Sequence, residues 1–253
     1  MIRIKSSDEI RKMEYACRVV AEALKYAEEL VAVGATTYDI DRKLEEFLIS
    51  RKVKPAFKGY SGYPATSCIS LNEVVVHGIP SKKIVLKPGD LVSIDLGALY
   101  EGYYGDAART YAVNGVSETA LKLLKVTEEA LRIGIDTAKP GARIGDVSHA
   151  IQKYVEENGF NVIRDYVGHG IGRELHEEPQ IPNFGDPGTG PKLMVGMTLA
   201  IEPMVSAGDW RTVLEADGWT AVTADRSLAA HFEHTVVITP DGARVLTTCE
   251  GGN

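Results

Sequence analysis

Cysteine is scarce in this chain of 253 residues: there are only Cys17, Cys68 and Cys249, an odd number without paired spacing. That argues against a disulfide framework and against a zinc knuckle. Long apolar runs are missing too. No stretch approaches the ~20 residues of a membrane span, and the opening MIRIKSSDEI lacks the apolar centre of a secretory signal. Positive charge is in deficit. The 28 Lys and Arg against 35 Asp and Glu leave a net charge of -7, and a nucleic-acid surface needs clustered cations. The one basic stretch, residues 51–58, reads as a solvated helix end, with transient ribosome contact as the alternative. The expected compartment is the cytoplasm, with no membrane partner and no specific nucleic acid.

What is present is an ordinary globular composition, 44% hydrophobic and 25% charged. That is enough to bury a sizeable core, here assigned to one domain of residues 1–253. Ile10, Met13, Cys17, Val20, Leu24, Ala27 and Val31 recur at steps of three and four, one buried face of a helix. Ser6 and Glu9 form a capping-box signal at its start. A second helix is predicted from Thr37 to Arg51, with Ile40, Leu44, Phe47 and Leu48 on one side.

The chain also repeats itself at a constant offset of 107. Ala23-Leu24 matches Ala130-Leu131, Gly34-Ala35 matches Gly141-Ala142, Asp39 matches Asp146, Gly89 matches Gly196, and Ile94 matches Ile201. The pattern predicts two similar halves, about 1–115 and 116–253, each with two helices followed by strands, and a binding cleft where they meet. Under the same offset Asp95 becomes Glu202. Both lie in apolar strand-like runs, LVSIDLGAL and TLAIEPMVS. A carboxylate inside a buried strand is costly unless something pairs with it.

Asp95 and Asp106 flank a hairpin signal. A loop at Tyr100-Glu101 sets them directly opposite; a loop at Glu101-Gly102 makes them diagonal neighbours. Two such carboxylates stay ionised only with a cation between them; a turn with two solvated aspartates is the plain alternative. Glu233 lies in HFEHTVVIT, where His231 shares its face by the period of two and His234 points away as a packing histidine. His149, within a helix, reads as structural or solvated. In YVGHGIGRELHEEPQIPNFG, His169 and His176 sit among glycines that permit close backbone approach. The tripeptide HGI recurs as His77-Gly78-Ile79. Asp95, Asp106, His169, Glu202 and Glu233 together make a hard, mostly oxygen donor set, suited to Mn, Fe(II), Co or Zn. Four carboxylates balance two divalent ions, and bridging carboxylates hold such ions ~3.5–4 Å apart.

At these residues the chain resembles type I methionine aminopeptidases of the short bacterial form. The resemblance runs from about residue 3 to 247 and rests on GYSGYPATSCISLNEVVVHGIP, the SIDLG to GDAART hairpin, YVGHGIGRELHEEPQIPNFG, GMTLAIEPM and HFEHTVVIT. It implies the α/β pita-bread fold of creatinase and the aminopeptidases, with two pseudo-twofold-related halves whose helices pack on a curved antiparallel sheet. It implies removal of the initiator methionine from nascent chains, with a small second residue preferred.

The resemblance also implies the residue roles. Asp95, Asp106, His169, Glu202 and Glu233 match the five metal ligands: Asp106 and Glu233 shared, Asp95 completing one site, His169 and Glu202 the other. Glu202 also matches the general base. His77 matches the histidine near the scissile amide, and His176 the one that hydrogen-bonds the carbonyl and its oxyanion. Tyr60, Tyr63, Cys68, Leu175 and Trp219 match the methionine pocket, with Phe57 close by. Leu175 stands where many relatives have an aromatic, Phe57 where others have cysteine, Gly97 where others have a hydroxyl residue, and His231 where others often have glutamine. A proline-specific peptidase of the same fold and a non-enzymatic binding module are the rival readings.

Overall fold

The computed structural model describes residues 2–249. The first half contains α1 (Ser7–Leu30), α2 (Thr37–Ser50), β1 (Lys54–Pro55), a 3-10 turn (Tyr60–Gly62), β2 (Ser67–Leu71), β3 (Val74–Val76), β4 (Leu91–Tyr100) and β5 (Tyr103–Ala112). The second contains α3 (Glu118–Thr137), α4 (Ile144–Glu157), β6 (Asn161–Val162), β7 (Gly168–Gly170), β8 (Glu177–Ile181), β9 (Thr198–Ile201) and β10 (Met204–Ser206). It continues with β11 (Thr212–Leu214), β12 (Ala221–Thr223), β13 (Ala229–His231), β14 (His234–Thr239) and β15 (Gly242–Val245).

Helix α1 starts as its sequence dictates. The Ser6 hydroxyl accepts from the Glu9 N–H while the Glu9 carboxylate accepts from the Ser6 N–H, so two otherwise unpaired donors are satisfied. Its face of Met13, Cys17, Val20, Leu24 and Ala27 is buried. Helix α2 ends one residue short of expectation, with Arg51 as its C-cap. The basic stretch that follows is a helix end whose outer cations pair locally: Arg51 with Glu22 and Lys58 with Glu45, each at 2.6 Å.

Helix α1 lies on β4 and β5, with α2 beside it against β1 and β2, over one apolar core that includes Val20, Leu44, Ile94 and Leu96. Helix α3 packs on β9, β10, β13 and β15, and α4 on α3, β6 and β8, over a second, which includes Leu123, Ile151, Leu199 and Val236. The offset of 107 holds at both ends of α2 against α4 and of β1 against β6. It also relates the isolated bridges Thr36↔Val85 and Arg143↔Lys192. One element departs from the repeat. The continuous β4 has as its counterpart two short strands, β9 and β10, separated at Glu202-Pro203, because Pro203 has no N–H to give a ladder.

In the first half β4 is flanked by β2 and β5, with β1 paired to its end; in the second the order is β15-β14-β9-β7-β8. All paired strands described are antiparallel. Threonine hydroxyls join the halves. Thr235 Oγ1 accepts from the Asp106 N–H and donates to the Asp106 carbonyl. Thr110 Oγ1 likewise accepts from the His231 N–H and donates to its carbonyl. Between them the Glu233 N–H donates to Ala108 O at 2.9 Å. These bonds bring the strand of Asp106 alongside the segment of Glu233. No helix among the described residues is long and apolar enough to cross a membrane.

Candidate metal centre and active site

The hairpin β4–β5 adopts the second of the two registers weighed above. Tyr100 pairs with Tyr103, so the loop is Glu101-Gly102. Both loop residues take positive φ, +46° and +82°, as a tight hairpin turn of this twist requires, and glycine accepts that more readily than tyrosine would. Asp95 is therefore opposite Ala108, and Asp106 opposite Gly97. The two aspartates are diagonal neighbours on one face.

Every candidate named from the sequence lines a single cavity of about 350 Å³. One wall carries Asp95, Asp106, His169, Glu202 and Glu233; another carries Phe57, Tyr60, Tyr63, Cys68, Leu175 and Trp219, with His77 and His176 beside them. Ligand atoms of Asp106, His169 and Glu233 lie within 4.8 Å of one another, as do those of Glu202, His231 and Glu233. The His169 Nε2 is 3.4 Å from Glu202 Oε1.

Burial sets the protonation of this cluster. It pushes Glu233 and Asp106 well above the usual carboxylate range, and the charges of the neighbouring acids push further. Burial alone raises Glu202. Asp95 is raised too, by burial, with Glu202 adding to it and His231 opposing. His169 is driven the other way, down to about 3, by burial and then by His176, so its ring is neutral. Its Nδ1 lies 2.9 Å from the Gly170 carbonyl. That carbonyl can only accept, so Nδ1 carries the hydrogen and the Nε2 lone pair faces Glu202.

These residues fit a metal. Asp95 Oδ1, Asp106 Oδ1 and Glu233 Oε1 are buried without a hydrogen-bond partner among the described residues. Such orphaned oxygens are costly, and divalent cations satisfy them while displacing the protons that burial imposes.

His176 hydrogen-bonds Tyr60: its Nδ1 is 2.8 Å from the hydroxyl. Tyr60 stands at the mouth, 38% exposed. His77 has φ +61° and meets the edges of Tyr166 and Trp219, with ring centroids 5.5 and 6.4 Å away. Burial, then the charges of His231 and His176, lower it to about 4. The repeated HGI has a shared physical reason. A Cβ on Gly78 would lie 2.3 Å from Ile69 O, and one on Gly170 would lie 2.2 Å from Glu178 O, so each histidine is followed by a residue pressed against a neighbouring strand. His234 points away from the cavity and bonds Thr247 Oγ1 at 2.8 Å. His149 lies on α4, 3.3 Å from Gly185 O.

Three features escaped the sequence reading. Tyr166 and Met204 also line the cavity. Met204 could have been found, because the period of two from Glu202 places it on the same face. The buried Nε2 of His231 has no hydrogen-bond partner among the described residues and lies 3.6 Å from Glu202 Oε2. The period of two puts His231 on the face of Glu233 but does not disclose this approach to Glu202.

Comparison with known proteins agrees with the geometry. A Clostridium acetobutylicum protein named methionine aminopeptidase is 52% identical over 250 residues, spanning 99% of this chain and 100% of that protein. The crystal structure of methionine aminopeptidase from Thermotoga maritima superposes with a TM-score of 0.97 at 58% identity, covering 98% of this chain and 100% of that one. Prolidase from Pyrococcus furiosus, at 29% identity, matches with a TM-score of 0.79 over 98% of this chain and 66% of its own. The shared architecture is the pita-bread fold. Residues 11–240 match metallopeptidase family M24, and with these relatives along nearly its whole length the chain belongs to that family.

Proposed function

We propose that this chain is a methionine aminopeptidase that removes the initiator methionine from nascent proteins and peptides in the cytoplasm. The observation that carries the reading is the gathering of four carboxylates and an imidazole in one pocket, with Asp106, Glu233 and His169 buried and Asp95 and Glu202 partly buried. Full-length relatives bearing that name support it. Asp95, Asp106, His169, Glu202 and Glu233 would hold two divalent ions, Co, Mn, Fe(II) or Zn, with Asp106 and Glu233 shared. Ions so bound act as Lewis acids and make water a nucleophile near neutral pH.

The protein's own groups do the rest. Glu202 takes the proton of the attacking water. Tyr60 keeps its proton, since burial raises it, so its hydroxyl donates to His176 Nδ1 and leaves the Nε2–H free for the developing oxyanion. His77, neutral beside Trp219, orients the scissile amide. Phe57, Tyr63, Cys68, Leu175 and Trp219 enclose the unbranched thioether side chain. The cavity lies at the small end of ligand pockets (roughly 300–1,000 Å³), room for one terminal residue rather than a passing chain.

The test is mass spectrometry of Met-Ala-Ser, Met-Lys-Ser and an Xaa-Pro dipeptide after incubation with each metal. Release of methionine from Met-Ala-Ser, and little from Met-Lys-Ser, is expected. Preferential cleavage of the Xaa-Pro dipeptide would move the chain to the proline-specific peptidases, and inertness toward all three would remove the enzyme.

A further inference from the structure

The segment before α1 is pinned by a buried ion pair. Lys5 Nζ lies 2.6 Å from Glu177 Oε2, with side-chain exposures of 4% and 3%. The Lys5 N–H donates to Gly196 O at 2.9 Å. Stability alone is a weak reason to bury such a pair, because desolvation offsets most of the attraction. The other carboxylate oxygen has separate partners. Glu177 Oε1 accepts from the Arg173 N–H at 2.8 Å and the Glu174 N–H at 3.2 Å. Gly172 completes the fit: a Cβ there would stand 2.3 Å from Lys5 Cε and 2.9 Å from Glu177 Oε1. One carboxylate thus ties the N-terminal segment to the turn 172–177. That turn carries both Leu175, buried in the pocket wall, and His176.

We propose that Lys5 and Glu177 form a positioning pair of the active site: Lys5 neutralises the buried Glu177 carboxylate, and the other Glu177 oxygen holds the turn that aims His176 at the reacting carbonyl and seats Leu175 against the substrate side chain. Neither touches substrate. The claim rests on the aminopeptidase reading.

Two double variants of the metal-loaded enzyme test it. Lys5→Met/Glu177→Gln removes both charges but keeps an oxygen for the Arg173 and Glu174 N–H groups. Lys5→Met/Glu177→Met removes the charges and the acceptor together, and its apolar pair suits the site for stability. With Met-Ala-Ser, the first is expected to retain kcat within a few-fold of wild type. The second should lose kcat on the order of 10- to 100-fold, the cost of a misplaced group, at unchanged metal content and comparable Tm. Equal kcat in the two, or kcat that merely follows Tm, overturns the proposal. Should the Met/Met chain not fold, Lys5→Arg replaces it. The bulkier cation collides with Gly172 while keeping the charge, so kcat should fall with metal retained; unchanged kcat again overturns the claim. A wild-type chain that leaves Met-Ala-Ser intact fails the aminopeptidase reading, and this inference with it.

Discussion

Gly97 and Phe57 are expected to behave as one unit, and a double-mutant cycle measures it. Gly97 faces Asp106 across the hairpin, and its carbonyl accepts the Ala56 N–H at 3.0 Å. A Cβ at 97 would lie 2.7 Å from Phe57 Cε1 and 2.8 Å from Ala56 Cβ, closer than packed carbons tolerate. Gly97→Thr therefore overpacks the floor beneath Phe57 and should cost about 1–3 kcal/mol. For a chain of this size that is roughly 2–12 °C in Tm. Phe57→Cys alone should cost about 2–4 kcal/mol as a cavity, since the ring is buried. Together the two should cost at least about 1 kcal/mol less than the simple addition of their separate effects. Threonine then meets only Ala56, and its branched side chain fills part of the void. Urea denaturation of the four metal-free proteins gives the coupling without a contribution from bound ions. Additivity within about 0.5 kcal/mol would show that the two residues do not sense each other, and the steric reasoning would be wrong.

Asp106→Asn should lower bound metal and turnover by orders of magnitude, checked by elemental analysis beside a peptide assay; full metal with wild-type turnover would take Asp106 out of the ligand set. His176→Ala should lower kcat by roughly 10²-fold while metal content stays at the wild-type level. Metal affinity itself should rise with pH. Burial and mutual repulsion raise Asp106 and Glu233, so the metal-free cluster holds protons that an entering cation must expel. Calorimetric titration at pH 5.5 and 7.5 (about two units apart across the carboxylate-to-neutral range) would contradict this if the affinities agreed. Glu9 is shifted the opposite way. The Ser6 N–H, then Tyr103 and Arg173, hold it down at about 2. Its stabilisation is therefore present above the ordinary value of 4.5 and is lost as pH falls toward 2. The Tm gap between wild type and Glu9→Gln should narrow over that window; a gap that stays constant would assign the capping box no charge dependence.

What could be read in the sequence divides by how local its cause is. The face of α1, its capping box and the two-residue hairpin are set by neighbours a few positions apart, and the sequence displays them. The five proposed ligands were legible for a different reason. A carboxylate such as Asp95 or Glu202 inside an apolar strand violates the local pattern, and only a partner elsewhere makes it tolerable. The spacing leaves the hairpin register open because both loops satisfy it; the need for two positive φ values decides it. The joining of the halves was not legible. Thr110 and Thr235 reach across more than a hundred residues, and a threonine in a strand carries no mark of which hydroxyl replaces a ladder bond. Phe57 and Gly97 stood out as two separate departures, and only packing shows that the missing side chain at 97 makes room for the ring at 57. Lys5 left no mark at all. Arg3 and Lys5 alternate with Ile2 and Ile4, and Ser6 and Ser7 follow, so the local pattern puts Lys5 on a polar, solvated face, and the carboxylate that buries it lies 172 residues away. A buried charge announces itself when its surroundings in sequence are apolar. When they are polar, only the fold reveals it, so positioning residues like this pair are the part of an active site that sequence reading is least able to find.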